Sequence, residues 1–147
     1  MQLTKLTDYG FKVLIFLANK PEKYLASIDE IANTYQLPKN SVVKVIHQLG
    51  KGNIIETRRG KGGGFLLAKK PIDIKISDVV SLLEGDIDVV DCASHNCYLQ
   101  SSCQLKGIIN KATFAFLDVL KEYSIEDLIS HQQHGLFNVV NIEPNEI

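Results

Sequence analysis

Residues 27–52 read SIDEIANTYQLPKNSVVKVIHQLGKG, and the predicted architecture grows outward from this stretch. Ser27 followed by Glu30 is a capping box, so a short helix begins there and runs to about Tyr35. The next two residues leave room only for a turn, and Pro38 suits the first turn of another helix. In that helix apolar side chains recur with helical spacing until two glycines, at positions 50 and 52, close it; the apolar positions are Val42, Val45, Ile46 and Leu49. The stretch therefore predicts a helix-turn-helix unit.

The flanking segments add a helix before this unit and a β-hairpin after it. Residues 9–19 carry a helical apolar stripe that Pro21 ends. Strands are predicted over residues 54–59 and 65–68, with a glycine-rich turn at 60–64 between them. This order predicts a mainly α fold with a small β-hairpin wing, that is, a winged helix-turn-helix.

Longer helices are predicted past Pro71. Ser77 is expected to cap a fourth helix that ends just before Gly85. The longest helical pattern spans residues 104–123, where apolar residues follow 4,3,4,3,4 spacing at Leu105, Ile109, Ala112, Phe116, Val119 and Tyr123. More apolar residues lie outside this seam, so we expect the helix to pack on its own domain and on a second subunit; the alternative is a helix buried within one subunit. Ser124 is expected to cap one more turn through Leu128.

Charge is segregated along the 147 residues, although the net charge is only -1. Residues 1–71 contain 12 Lys and Arg against 5 Asp and Glu, whereas residues 72–147 contain 4 against 12. A basic first half predicts binding to a polyanion such as DNA; the alternative is that the two oppositely charged surfaces pair with each other. Since the sequence shows no signal peptide or membrane-spanning stretch, we expect a cytoplasmic protein with no membrane partner.

The first half also supplies the residue types that DNA recognition needs. The second helix of a helix-turn-helix enters the major groove, and the candidate contacts on it are Lys39, Asn40, Ser41, Lys44 and His47. A basic hairpin with a glycine-rich tip can approach phosphates or the minor groove, which adds Arg58, Arg59, Lys61, Gly62 and Gly63. The alternative, a nucleotide-binding loop, lacks the Lys-Ser/Thr pair and the Rossmann spacing.

The three cysteines, Cys92, Cys97 and Cys103, lie within twelve residues. An odd, clustered set favours metal or redox chemistry over a disulfide framework. Thiolates select iron-sulfur clusters, zinc or copper(I), and the spacing is not the Cys-x2-Cys of zinc sites. Buried, inert cysteines are the alternative, which polar neighbours such as His95 disfavour. No nucleophile and base stand at a recognisable spacing, so we expect a protein that is not an enzyme.

Three motifs in this order resemble the winged-helix iron-sulfur transcription regulators: LTKLTDYG at residues 3–10, RGKGGGFLLA at residues 59–68, and the three-cysteine loop. The resemblance extends from the first residue to about residue 130. It implies a homodimer on a double-stranded DNA operator, with an iron-sulfur cluster held by the three cysteines. Together with the change in sequence character after Pro71 and the loose tail expected from about residue 131, the predicted organisation is a DNA-binding winged helix-turn-helix domain (residues 1–71), a cluster loop with a dimerisation helix (72–130) and a flexible tail (131–147).

Branches of this family differ in the fourth cluster ligand. IscR-like members place a His three residues beyond the last Cys, where this chain has Lys106, whereas NsrR-like members use an Asp of the first helix of the partner subunit, where this chain has Asp8. The resemblance therefore implies an NsrR-like repressor with a four-iron four-sulfur cluster, which nitric oxide releases from its operator. A two-iron two-sulfur cluster and His95 as a ligand stay open, and without the resemblance Asp8 is an ordinary acid at a helix N-terminus.

Three other functions also stay open. One is a regulator that senses redox state or iron supply through a two-iron cluster. Another is an iron-sulfur electron-transfer protein that does not bind DNA, which the basic wing disfavours. The third is a regulator that uses free thiols or zinc.

Overall fold

The computed structural model describes residues 2–85, 87, 89 and 103–133. Its elements follow one another in the order expected for a winged helix-turn-helix with additional helices. They are α1 (Lys5–Ala18), α2 (Ile28–Tyr35), α3 (Lys39–Lys51), β1 (Ile55–Arg58), β2 (Gly64–Leu67), a 3-10 turn (Pro71–Asp73), α4 (Ile76–Glu84), α5 (Gln104–Lys121) and α6 (Ile125–Gln133). None of these helices is both long enough and apolar enough to cross a membrane.

The helix-turn-helix unit is confirmed with small shifts at its ends. The Ser27 hydroxyl accepts the backbone N–H of Glu30 at 3.2 Å, as a capping box requires. Gln36 makes the turn in the left-handed conformation, at φ 52°. Pro38 caps α3 from one position outside the helix, and the four apolar residues expected inside α3 are all buried: Val42, Val45, Ile46 and Leu49.

Helix α1 begins four residues earlier than its apolar stripe indicated. The prediction of residues 9–19 was wrong at its start, because the Thr4 hydroxyl caps the helix by accepting the backbone N–H of Thr7 at 3.4 Å. The first turn is polar on its outer side, so periodicity alone could not find it. Asp8 therefore lies in the first turn of α1.

The hairpin is an antiparallel pair in which Ile55 faces Leu67 and Arg58 faces Gly64. Strand β1 is one residue shorter at each end than predicted, and β2 keeps the predicted length but starts one residue earlier. Ala26, just before α2, exchanges both backbone hydrogen bonds with Phe65 at 2.9 Å, which fastens β2 near the turn of the wing to the helix-turn-helix. Gly50 lies inside α3 rather than beyond it, and the left-handed residue after this helix is Asn53, at φ 54°.

Helix α4 starts one residue before the predicted cap. Ser77 is buried inside the first turn, and Lys75 occupies the cap position, so the expectation that Ser77 caps α4 was wrong. The physical reason is a bridge to the start of α6: Ile76 N–H donates to the Tyr123 carbonyl, and Ile125 N–H donates to the Ile74 carbonyl, both at 3.0 Å. These bonds fix the backbone ahead of the helix without a side-chain cap.

One hydrophobic core runs through both halves of the described chain. Val79 and Val80 of α4 and Ile125 of α6 are buried in the same cluster as Val13 and Leu14 of α1. The described residues of α4 and α6 thus pack directly on the winged helix-turn-helix. The domain boundary at residue 71 stays a prediction that is based on the change in sequence character after Pro71.

The last two helices differ in length from the expectation. Helix α6 continues to Gln133, beyond the single turn predicted to Leu128 and beyond residue 131, where the tail was expected to begin. Its start is fixed by Asp127, whose carboxylate accepts the Ser124 backbone N–H at 2.7 Å and the Ser124 hydroxyl at 2.8 Å. Residues 134–147, the remainder of the expected tail, lie outside the described residues.

Candidate DNA interface and cysteine site

The outer face of α3 presents four side chains at i, i+3, i+4 and i+7: Asn40, Val43, Lys44 and His47. All four are exposed, whereas Ser41 is half-buried on the flank of the helix. The structure therefore brings three of the five candidate α3 contacts onto one solvent-facing surface. Val43 also lies on this surface, although it was absent from the sequence-derived set.

Lys39, the first residue of α3, is already engaged by a carboxylate. Its ammonium lies 2.7 Å from Asp29 of α2, and both side chains are largely exposed. An exposed pair of this kind contributes at most about 1 kcal/mol, so a phosphate could displace Asp29 at little cost. In the structure Lys39 joins the two helices of the motif.

The wing carries the strongest local positive charge near α3. Arg58, Arg59 and Lys61 are exposed; among them Arg58 pairs with Glu56 at 3.1 Å. Of the charges on this hairpin, Arg59 and Lys61 have no carboxylate within 4.0 Å in the described part of the chain. Cations that are free of local acids are suited to contact phosphates.

The two glycines predicted at the wing tip have different roles in the structure. Gly62 has φ +77° and open space around its α-carbon, so its backbone is available to a ligand. Gly63 is held by the turn itself, since its N–H donates to the Gly60 carbonyl at 3.0 Å and an added Cβ would lie 2.2 Å from the Arg58 carbonyl oxygen. Gly63 is therefore required for the hairpin geometry whether or not it touches DNA.

The structure tests only part of the expected cysteine site. Cys103 is a free, half-buried thiol directly before α5. It lies at the N-terminus of this helix, the end that favours anionic ligands. Cys92, Cys97 and His95 lie outside the described residues. Within the ranges that the structure describes, no three His, Cys, Asp or Glu side chains converge on a common point that could hold a metal.

Asp8, the expected ligand from a second subunit, points to solvent within its own subunit. Its carboxylate is 57% exposed and lies 2.7 Å from the Lys12 ammonium, one turn along α1. This contact is the ordinary i, i+4 ion pair of a helix surface. Because the Asp8 carboxylate is exposed, it can reach a neighbouring molecule once Lys12 is displaced.

A carboxylate that sequence reasoning missed joins α1 to the end of α4. Glu84 accepts hydrogen bonds from the Thr4 backbone N–H at 2.8 Å, from the Thr4 hydroxyl at 3.0 Å, and from the buried Thr7 hydroxyl. Partial burial acts to raise the pKa of Glu84, but these hydrogen bonds outweigh it and hold the pKa below its usual value. The contact links the turn that carries Asp8 to the helix that leads toward the cysteine loop.

The two residues that the sequence analysis missed, Val43 and Glu84, differ in whether the sequence could have indicated them. Val43 stands three residues after Asn40 and four before His47, so helical spacing alone was enough to include it on the recognition surface. Glu84 lies 77 and 80 positions from its partners, and no local pattern in a single sequence connects residues that far apart.

Comparison with known proteins places the chain among transcription regulators. The family model named Rrf2 and described as "Iron-dependent Transcriptional regulator" matches residues 3–131. Two relatives carry the name "HTH-type transcriptional regulator NsrR". One, from Bacillus licheniformis, is 44% identical over 137 residues, covering 91% of this chain and 96% of the relative. The other, from Bacillus subtilis, is 42% identical over 136 residues, covering 90% and 93%.

Solved structures give the same architecture. CymR, titled the global cysteine regulator of B. subtilis, is 26% identical with a TM-score of 0.67, over 89% of this chain and 98% of its own. T. potens IscR has a TM-score of 0.72 at 23% identity, over 92% of this chain and 91% of its own. An identity this low supports only a shared fold. The mainly helical winged fold predicted from the sequence is thereby confirmed.

Proposed function

Because the chain belongs to the Rrf2 family, and is thus a transcription regulator rather than an enzyme, we propose that it is a repressor that binds operator DNA as a homodimer and depends on an iron-sulfur cluster. Nitric oxide is the proposed signal that releases it. The observation that carries this proposal is the similarity to regulators named NsrR along about nine-tenths of the chain, 44% and 42% identical in the two cases above. We expect it to act in the cytoplasm, where the DNA of its bacterial relatives lies.

DNA binding in this proposal uses two surfaces of one subunit. Asn40, Lys44 and His47 would enter the major groove from α3, where an Asn can bond to both hydrogen-bonding groups of an adenine edge. Arg59 and Lys61 would contact phosphates or the adjacent minor groove from the wing. Lys39 and Arg58 would exchange their present carboxylate partners for phosphates, and Ser41 would contribute from the flank of α3. Gly62 would bring its backbone close to the DNA, and Gly63 would hold the turn in shape.

Dimerisation in this proposal uses the outer face of α5. None of the described residues of α5 is buried within its own subunit, although Phe116, Leu117 and Leu120 pack in part on the core. Five other apolar side chains form an exposed stripe with 3,4,3,4 spacing, which we call the α5 stripe: Leu105, Ile108, Ala112, Ala115 and Val119. This spacing is typical of the seam of a helix pair, and it differs from the predicted seam because Ile109 and Phe116 are half-buried within their own subunit.

Cys92, Cys97 and Cys103, together with Asp8 of the partner subunit, would hold the cluster. Three soft thiolates and one carboxylate suit iron, and Cys103 offers a free thiol at a helix N-terminus. When bound, a four-iron four-sulfur cluster would supply iron that reacts with nitric oxide; a two-iron cluster is the alternative composition. Asp8 would be the least tightly held ligand because a hard oxygen donor matches a soft site poorly.

Residues of α1 and α4 would carry the signal to the DNA-binding surface. With Asp8 engaged by a second subunit, Lys12 would lose its ion-pair partner and α1 would be tied to that subunit. With Asp8 released, the pair with Lys12 would form again and α1 would be held only by its own subunit, through Glu84 and the hydrophobic core. A 100-fold change in operator affinity needs only about 2.7 kcal/mol of difference between the two arrangements, which is within ordinary coupling energies.

Iron and sulfide counts on protein purified without air test the cluster assignment. We expect about four irons per subunit and a visible absorption band that nitric oxide removes, as a four-iron cluster implies. Cys92→Ala should lose both the iron and the cluster-dependent part of DNA binding, whereas Thr34→Ala, an exposed change on α2, should lose neither. Two irons per subunit would favour the redox- or iron-sensing alternative, and a Cys92→Ala variant with unchanged iron would overturn the ligand assignment.

A further inference from the structure

Val43 is an exposed apolar residue in the middle of the recognition surface. Its side chain is 46% exposed, whereas the preceding Val42 is fully buried in the core. Asn40 stands one turn before it, and Lys44 and His47 lie beside and after it on the same face of α3. Val43 thus occupies the centre of a surface whose other members are polar.

Folding gives no reason for valine at this position. A β-branched side chain loses rotamer freedom in a helix, and an exposed one gains little from packing in return. A Lys, Gln or Glu there would favour the helix more and would suit water better. Single exposed apolar residues are common on protein surfaces, but the location of this one, among candidate base contacts, gives its methyl groups a chemical use.

The major groove contains one apolar group that distinguishes a base, the C5-methyl of thymine. We propose that Val43 is a specificity-determining residue that packs against this methyl group in each operator half-site. The inference rests on the proposed function, since it requires α3 to lie in the major groove. It adds that the operator contains a thymine that is recognised by apolar contact rather than by hydrogen bonding.

Helix geometry limits where that thymine lies. Three residues of α-helix rise by about 4.5 Å, and successive bases of one strand are about 3.4 Å apart. Val43 and Asn40 are three residues apart on one face, so they reach neighbouring base pairs when α3 follows the groove. The thymine should therefore lie next to the base pair that Asn40 contacts, once in each half of a palindromic site.

The test replaces thymine by uracil, which removes only the methyl group. An operator is first selected from random duplex DNA with the dimer, and each thymine is then replaced singly by uracil in both half-sites. We expect one symmetric pair of replacements to weaken binding by the wild-type protein by about tenfold, from one buried methyl group in each half-site. Val43→Ala should weaken binding to the thymine operator and should be insensitive to uracil at that position.

Lys44→Ala is the matched control, because it changes the neighbouring exposed side chain. It should weaken binding to every operator and keep the full sensitivity to uracil. Since Val43 is exposed, the alanine variant should keep its helix content and melting temperature, which circular dichroism checks. Val43→Ala with an undiminished uracil penalty, or an operator in which no uracil replacement matters, would overturn the inference. Selection that enriches no sequence at all would overturn the proposed function, and this inference with it.

Discussion

Glu84 shows how one side chain can join distant parts of the chain. Glu84 is the last residue of α4, and its carboxylate accepts hydrogen bonds from Thr4 and Thr7 at the start of α1. Hydrogen bonds to a charged group contribute more than neutral ones, and the Thr7 hydroxyl is fully buried, so it has no water to replace the carboxylate. The contact therefore fixes the turn that carries Asp8.

Glu84→Gln should lower the free energy of unfolding by about 1 kcal/mol near pH 7, because a charged acceptor becomes a neutral one. The lowered pKa of Glu84 means that this stability is present above the carboxyl group's unfolded pKa and is lost as pH falls through the folded pKa. The gap between wild type and variant in urea unfolding should thus close as pH falls. Glu22→Gln, at an exposed carboxylate, is the control. A gap that stays constant down to about pH 3 would contradict the assignment.

Single residues were predictable where periodicity governs them. The buried set of α3 and the exposure of Asn40, Lys44 and His47 follow from one helical repeat, and the structure confirms them. The ion pair of Lys39 with Asp29 was not predicted, because it depends on the angle between two helices rather than on either sequence segment. The same limit applies to Glu84.

At the scale of elements, the wing is a short hairpin whose second strand is fastened near the turn. Ala26 holds Phe65 there, and Gly63 allows the tight tip that keeps Arg59 and Lys61 together on an exposed turn. Charges on such a turn act on DNA mainly through phosphates. Their contribution should therefore depend on salt rather than on base sequence.

Arg59→Ala should weaken operator binding and reduce the slope of log K against log salt by about 0.9, the value for one lost phosphate contact. The loss should be similar for any DNA sequence, because phosphates are common to all. Lys111→Ala, a charge change on α5 away from the wing, should leave affinity and slope unaltered. Titrations at several salt concentrations measure both quantities, and an unchanged slope for Arg59→Ala would show that the wing does not contact phosphates.

Element types could be predicted from the sequence, but their starts could not always be. Helix α1 begins at Lys5 because Thr4, outside the apolar stripe, is a polar cap, and α4 begins before Ser77 because its backbone is bridged to the start of α6. Both starts depend on contacts that local propensity does not describe. Where the cap and the apolar stripe coincide, as at Ser27, the predicted start was right.

At the scale of the whole molecule, the α5 stripe is a row of exposed apolar side chains along one face of the longest helix that the structure describes. Ile108 is 64% exposed, and its neighbours along the stripe are exposed as well. Apolar side chains repeated along one helix face are stabilised by burial against a second helix. A homodimer would provide that burial and would bring a second Asp8 to the cysteine loop.

Ile108→Glu should convert the dimer to a monomer, because it inserts a charge into the α5 stripe. Phe114→Glu is a matched control: Phe114 is equally exposed, at 68%, but lies on the other side of α5. Sedimentation at several concentrations should show a monomer for the first variant and a dimer for the second. A dimeric Ile108→Glu protein, or dissociation by both variants, would contradict the proposed interface.

The mainly helical winged fold could be predicted because each segment carries its own period, turn or cap. The face that α5 turns outward could not, since the 4,3,4,3,4 pattern includes residues from two sides of the helix, and only the structure shows that Ile109 and Phe116 are half-buried while the α5 stripe is exposed. The candidate DNA surface was found largely from charge and spacing. The cysteine site stays a prediction from the clustering of three cysteines and from the family resemblance, and Cys103 is its only cysteine within the described residues.

Operator affinity measured without air, before and after nitric oxide, tests the central claim most directly. The cluster-loaded dimer should bind its selected operator at least about 100-fold more tightly than the same sample after exposure to nitric oxide, which corresponds to about 2.7 kcal/mol of coupling. Asp8→Ala should reduce that ratio even where iron is retained. Equal affinity before and after nitric oxide, in a sample shown to contain iron and sulfide, would contradict the account.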